Sequence, residues 1–298
     1  MPPDDHFRHL NADGRWPGFQ WDGLERRSDG ALQLFTLPRM GPEAASAAAS
    51  PADAPAGIAV DRDGTIFWTD PGHDRVLARE GCFATDGPVP CIGGRGTEPA
   101  RLNRPRGLVV LPHRRALLVV DAGNHRVQLF DLASFAVLDV WGSPAGVGPS
   151  AEVGRFDTPW TAAGDAAGSV YVVDRGNRRI QKFDRAGRVA PAFWETMQVA
   201  GLVTEPVDVA VHSGAHATRV YVLDAAARTV RVFDDQGHPL CDRLGAPLAI
   251  GGAQLRAPVG LAAGAEMLYV GDADPGRVRV FALTRDGVFA GDAVGYEG

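Results

Sequence analysis

Cysteine is scarce: three in 298 residues, too few for a disulfide framework. No apolar run approaches the ~20 residues that a membrane-spanning helix needs. Lysine and arginine (30) are outnumbered by aspartate and glutamate (36), and the net charge of −6 supplies no global basic field for nucleic acid or an anionic membrane. The opening stretch MPPDDHFRHL lacks the basic and apolar regions of a secretory signal, so the expected location is the cytoplasm or an assembled particle. There is no glycine-rich phosphate loop with its lysine, and no Gly-x-Ser-x-Gly nucleophile turn. Long amphipathic helices are also missing, which excludes a stack of helical repeats. What is plentiful is glycine (37) and proline (22), the composition of many turns between short strands.

Those strands recur. DAGNHRVQLFD (Asp121–Asp131) returns 53 residues later as DRGNRRIQKFD (Asp174–Asp184). Apolar runs ending in aspartate lead to Asp70, Asp121, Asp174, Asp224 and Asp272, at intervals of 51, 53, 50 and 48 residues. Five residues after each aspartate stand Arg75, Arg126, Arg179, Thr229 and Arg277, each followed by valine or isoleucine. A proline precedes each aspartate by 14 to 18 residues: Pro55, Pro105, Pro159, Pro206 and Pro258. Each unit reads as strand, turn, strand, turn, strand, with VAPAFWETM (Val189–Met197) as an outermost strand of the third unit. Four antiparallel strands in about 50 residues is the size of a propeller blade.

The five units occupy residues 55–298, and a sixth, degraded copy precedes them. GLERRSDGALQLFT (Gly23–Thr36) aligns without gaps to GIAVDRDGTIFWTD (Gly57–Asp70) but lacks the aspartate and arginine. The expected fold is therefore all-β, a six-bladed propeller with five full four-stranded repeats and a partial N-terminal blade. Residues 1–37 form the N-terminal segment and partial blade. Residues 38–54, rich in alanine and proline, form a linker, and 55–298 carry the repeats in one propeller domain with 15–37. The C-terminal DGVFAGDAVGYEG is the candidate to complete the sixth blade.

The repeated turn has a structural explanation. Asp70, Asp121, Asp174, Asp224 and Asp272 cap it by accepting backbone N–H bonds and pair with the arginine five residues on, while Asn124 and Asn177 take the left-handed position. DAGNHRVQLFD and DRGNRRIQKFD resemble NHL repeats, the family named for an Asn-His-Leu signature within this turn. The likeness is strongest in the second and third copies and looser elsewhere; the fourth, DAAARTVRVFD, has lost the Gly-Asn. Such a resemblance implies a propeller and leaves its activity open, because propellers host unrelated functions.

Propellers similar to this one include lactonases, arylesterases and an amidating lyase that hold calcium or zinc at the central channel. Such a site needs several converging ligands, and at the start of the inner strands only Asp208 qualifies. No cofactor is expected and a metal-dependent hydrolase is the third reading. His212 and His216 fall in an expected loop, HSGAHAT. Cys82 and Cys91 are read as two reduced thiols at the outer edge of one blade, with a strand-to-strand disulfide as the alternative.

One face collects cations. The hairpin turns carry Arg75, Arg126, Arg178, Arg179, Arg228 and Arg277, and the segments leading into the inner strands carry Arg101, Arg104, Arg106, Arg155 and Arg256. Some NHL propellers bind RNA on such a face, which makes RNA the second candidate partner, with Trp160 as the stacking residue. The alternative is pairing of these arginines with the aspartates inside each blade. A second resemblance bears on role: RWPGF (Arg15–Phe19), GRFDTPW (Gly154–Trp160) and AFWETM (Ala192–Met197) look like segments of bacterial propeller proteins associated with phage-tail-like contractile injection particles. That likeness implies a non-enzymatic scaffold or attachment component that binds other particle proteins, with Trp16, Phe19 and Trp21 either as docking anchors or as packing within the half blade.

Overall fold

The computed structural model describes residues 55–79, 91–214, 217–242, 244–251, 255–264, 266–274, 276–284 and 287–289. All belong to one compact unit, built almost wholly of antiparallel sheets. The first blade comprises β1 (Ile58–Val60), β2 (Ile66–Asp70), β3 (Arg75–Arg79) and β4 (Cys91–Gly93), and the second β5 (Pro105–Leu111), β6 (Ala116–Asp121), β7 (Arg126–Asp131) and β8 (Val137–Gly142). The third comprises β9 (Pro159–Gly164), β10 (Val170–Asp174), β11 (Arg179–Phe183) and the two-residue β12 (Val189–Ala190). The fourth holds β13 (Pro206–Ser213), β14 (Thr218–Asp224), β15 (Thr229–Asp234) and β16 (Ala249–Gly251), and the fifth β17 (Pro258–Ala263), β18 (Met267–Asp272) and β19 (Arg277–Ala282).

The register explains the repeat. In every blade the aspartate pairs across the hairpin with the residue five positions on, as in Asp70 with Arg75 and Asp224 with Thr229. In the last four blades the proline that opens the inner strand pairs with the same aspartate, and a bulge follows it. Proline at the first strand position gives up no ladder bond. The first turn is four residues in the second, fourth and fifth blades and five in the third, so the varying proline-to-aspartate interval reflects the length of the two strands rather than of the turn.

The inner strands β1, β5, β9, β13 and β17 succeed one another as neighbours. Because the second and third sheets each have another sheet on either side, β6 and β10 are buried along their whole length and read as continuous apolar runs. The core consists of layers between adjacent blades. Leu118, Val120, Val127, Leu129 and Trp141 of the second blade meet Phe156, Ala162, Val170, Val172 and Phe183, with the Trp141 and Phe183 rings stacked at 5.0 Å.

Several expectations are corrected. Among the described residues there are five blades, not six, and the fifth has three strands rather than four. The segments expected to supply a sixth blade and the linker, 1–37 and 38–54, lie outside the described residues, as does most of the C-terminal stretch. After β19 the chain turns at Thr284–Val288 and, among the described residues, makes one bridge, Leu283 to Phe289. It packs back on the fourth blade, where the Tyr221 hydroxyl donates to the Gly287 carbonyl at 2.6 Å.

Of the expected outer strand of the third blade only Val189–Ala190 pairs, as β12, and the rest of the stretch is a helix, α1 (Pro191–Ala200). Proline at its first turn costs no bond, and Gly201 closes it in the left-handed conformation, φ 61°. Phe193 and Met197, four apart, bury one helical face against Tyr171 and Val173; a strand would place the charged Glu195 on that same side.

Candidate functional site

The hairpin face is built from the repeat turns and the segments leading into the inner strands. Asp70, Asp121, Asp174 and Asp224 have no exposed surface and Asp272 almost none. Their carboxylates tie each turn to its own blade's lead-in: the N–H groups of Asn103, Asp157, Thr204 and Arg256, each two residues before the blade's proline, donate to Asp121 (2.7 Å), Asp174 (2.7 Å), Asp224 (2.6 Å) and Asp272 (3.1 Å). Within the turns, backbone N–H groups also reach two of the carboxylates, Ala227 to Asp224 at 3.0 Å and Asp274 to Asp272.

Arg126 donates through Nε to Asp121 at 2.8 Å and through its other nitrogens to the carbonyls of Thr97, Glu98 and Arg101, in the crossing from the first blade. Arg179 repeats the pattern on Asp174 and the carbonyls of Ala151, Glu152 and Arg155. Asn124 and Asn177 add an amide bond to the same aspartates and one to the carbonyls of Gly96 and Ser150. They do not take the left-handed position. The next residues do, His125 at φ 54° and Arg178 at φ 52°, because the asparagine closes a short 3-10 turn whose end must reverse the chain. Gln128 and Gln181, which the sequence reading passed over, complete each set by bridging Asp121 or Asp174 to the crossing segment. Their signal was present: glutamine recurs seven residues after both aspartates.

Arg126 and Arg179 are thus framework groups and present no free guanidinium for RNA. Arg75 is likewise bonded to Asp70 at 2.8 Å. Burial works against ionisation of Asp70, but bonds from His73 and Arg75 outweigh it and hold the carboxyl below its ordinary value.

Closer to the axis, the inner strands interlock. Gly57 and Gly107 sit so near Arg106 and Thr161 that a β-carbon would fall 2.3 Å from the Arg106 carbonyl and 2.6 Å from the Thr161 Cα. Thr69 Oγ1 donates to that same Arg106 carbonyl at 2.9 Å. Asp208 continues the series: its carboxylate accepts N–H bonds from Leu261 at 2.6 Å and Val209 at 2.8 Å, and a bond from the Thr161 hydroxyl. Burial pushes its pKa up to about 6. Asp208 joins three blades and is spent on hydrogen bonds. Among the described residues no three His, Cys, Asp or Glu side chains come together as a metal-binding group.

At the mouth of the inner strands, two of the predicted arginines, Arg104 and Arg106, and a third that the sequence pattern did not single out, Arg175, form no ion pair among the described residues. Arg106 lies with Cζ 3.5 Å from the Trp160 ring centroid, and Arg175 with Cζ at 4.2 Å. Arg104 adds its charge to theirs. Burial first, then the charges of Arg175 and Arg104, hold the Arg106 guanidinium below its ordinary pKa. The carboxylates of the adjoining loops face other donors: Asp74 accepts the Arg104 backbone N–H at 2.7 Å, and Asp157 accepts the Thr158 hydroxyl at 2.9 Å. Next to this cluster, a cleft of about 220 Å³ is lined by Thr97, Asn103, His125 and the 145–148 loop.

The remaining predicted residues scatter. Arg178, Arg228 and Arg256 are exposed. Arg155 pairs with Glu152 at 3.0 Å, Arg101 reaches the Gly93 carbonyl, and Arg277 lines up with Asp272 across its hairpin. His212 belongs to β13 rather than to a loop and is buried, its Nδ1 3.1 Å from the Gly264 carbonyl. Trp16, Phe19, Trp21 and Cys82 lie outside the described residues, and Cys241 is exposed and unpaired.

The chain is 40% identical over 67 residues to the human E3 ubiquitin-protein ligase NHLRC1, and 33% identical over 93 residues to the mouse NHL repeat-containing protein 3. Those segments are 22% and 31% of this chain and only 16% and 25% of the two relatives. Among solved structures, a chain of a nidogen/laminin complex superposes with a TM-score of 0.57 at 17% identity, covering 82% of this chain and 80% of that one. These likenesses support an NHL-type β-propeller. A streptogramin B lyase structure superposes with a TM-score of 0.52 at 11% identity, over 91% of this chain and 74% of the other. At such identities the structural likeness shows the propeller fold alone. No family model matches the chain. No helix among the described residues is long and apolar enough to cross a membrane.

Proposed function

We propose that the chain is a non-enzymatic binding propeller that docks a protein partner on its hairpin face. The observation that carries this reading is the division of labour among the arginines. Arg126 and Arg179 are consumed by the framework, while Arg104, Arg106 and Arg175 lie together on the same face and form no ion pair among the described residues. The finer form of the reading is a structural or attachment component of a phage-tail-like contractile injection particle, supported by the likeness of Arg15–Phe19, Gly154–Trp160 and Ala192–Met197 to proteins of such particles. It is tested by mild affinity purification of the tagged full chain from its own host. Sheath, tube or baseplate proteins in stoichiometric amount support it; a chain that emerges alone overturns it.

A second reading, binding of RNA, draws on the same unpaired guanidiniums. In this reading Arg106 and Arg175 replace Arg126 and Arg179 as the contact residues. Salt-sensitive retention of RNA by the full chain, lost on R106E/R175E, would establish it.

A further inference from the structure

We propose that the Arg104–Arg106–Arg175 cluster around Trp160 is a docking site for an acidic peptide segment of a partner, recognised through its aspartate and glutamate carboxylates. The proposal deepens the protein-binding reading and rests on it.

The site is assembled across two blades. Arg106 is the second residue of β5, Trp160 the second residue of β9, and Arg175 the first residue of the hairpin after β10. Both inner strands begin at a proline paired to a buried aspartate, so the backbones that carry these side chains are fixed before any ligand arrives. Gly107 packed against Thr161 sets the spacing between the two strands. The Arg106 and Arg175 stems are half-buried, and stacking on one indole limits the rotamers these two guanidiniums sample, while Arg104 is exposed beside them. Pre-organisation of that kind lowers the entropy lost when a ligand is bound.

The charge arrangement selects the ligand. Like charges near one another disfavour their common ionised state, and a carboxylate placed among them relieves that repulsion. A guanidinium presents parallel N–H groups that match a carboxylate in a fork, and these bonds are shorter and stronger than neutral ones. Asp74 accepts the backbone N–H of Arg104 and Asp157 the hydroxyl of Thr158, and among the described residues neither carboxylate forms an ion pair with the Arg104, Arg106 or Arg175 guanidinium. The site also disfavours single-stranded nucleic acid. Such binding adds stacking of bases on open aromatic faces, and two guanidiniums already claim the Trp160 ring. Outside the cluster the molecule is net acidic, which opposes the long phosphate track of an RNA more than a short acidic segment.

The test uses the full chain, a fluorescein-labelled hexaglutamate peptide and a fluorescein-labelled twelve-nucleotide oligouridylate, with binding read by anisotropy. The expected result is salt-sensitive binding of the peptide, weakened about tenfold or more in R106Q/R175Q and unchanged in R188Q, whose arginine is exposed in the turn after β11 and paired with Asp184. Hydrogen exchange on the unaltered protein supplies a readout that needs no variant: the peptide should protect amides at 104–107 and 158–161. No binding of the peptide, binding that survives R106Q/R175Q, protection confined to other segments, or tighter binding of the oligouridylate would each overturn the proposal. Failure of the broader reading looks different. If wild-type protein and R106Q/R175Q capture the same partner from the host, the site is wrong and the protein-binding reading stands. A wild-type chain that captures nothing removes the reading itself.

Discussion

Arg126 Nε stands 2.8 Å from Asp121 Oδ2, and neither side chain is exposed to solvent. The pair closes the second hairpin, and the remaining guanidinium nitrogens hold the crossing from the first blade through three carbonyls. One residue therefore fixes a turn, its strand and the link between blades. Removing a single member of a buried pair leaves the other charge uncompensated, which is the costly case.

From this, R126M should lower unfolding stability by about 3–5 kcal/mol. Urea denaturation checks it. R188M, at an exposed pair, is expected to change stability by less than about 1 kcal/mol. Equal losses in the two variants would refute the framework role of Arg126.

Asp208 makes stability depend on pH. Its pKa is raised from 3.8 to about 6 by burial, so the folded chain binds this proton more tightly than the unfolded chain does. The resulting stabilisation is fully present below the unfolded value and is lost as pH rises through about 6. The size is on the order of 1–3 kcal/mol. In D208N, which sacrifices one acceptor, stability near pH 4 should fall and the slope between pH 4 and 7 should flatten relative to wild type. Urea midpoints across that range decide it; an unchanged slope would assign the pH dependence elsewhere.

Gly107 is held by space rather than by backbone conformation. A β-carbon there meets the Thr161 Cα at 2.6 Å, and a backbone atom cannot swing aside as a side chain can. G107A should cost about 1–3 kcal/mol and part β5 from β9. G146A, in open space but at φ 76°, tests the opposite cause, strain without crowding. Hydrogen exchange distinguishes them: faster exchange across the β5 and β9 amides is expected only in G107A.

Helix α1 is anchored by Phe193, which is 2% exposed and lies edge-on to Tyr171 at 5.1 Å. F193A should lower stability by about 3–5 kcal/mol. Val199, 91% exposed at the far end of the same helix, should tolerate alanine within about 0.5 kcal/mol. Comparable effects at both positions would mean that the helix is held by something other than its buried face.

The sequence by itself determined the repeat, and with it the class of fold. Interval, aspartate, arginine and proline are local signals that recur because each blade must solve the same turn and the same strand start. It also marked Asp121 and Arg126 as partners, since a five-residue separation across a tight hairpin places them opposite one another. It misassigned what local pattern does not encode. The Val189–Met197 stretch carries alternation enough for a strand, but its Phe193 and Met197 find a buried surface only when wound as a helix on the third blade. The left-handed turn position fell one residue beyond the asparagine, because the turn is a 3-10 turn closed by its following residue. The tertiary structure alone decided which arginines are free. The predicted ones share a face in sequence register, yet only their hydrogen-bond partners separate Arg126 and Arg179, locked in the frame, from Arg106, stacked on Trp160 beside Arg175, which the pattern did not mark. The carbonyls that lock Arg126 and Arg179 stand 24 to 29 residues back, in the crossing from the preceding blade, and Arg106 meets Trp160 of the next blade, contacts about which sequence periodicity carries no information.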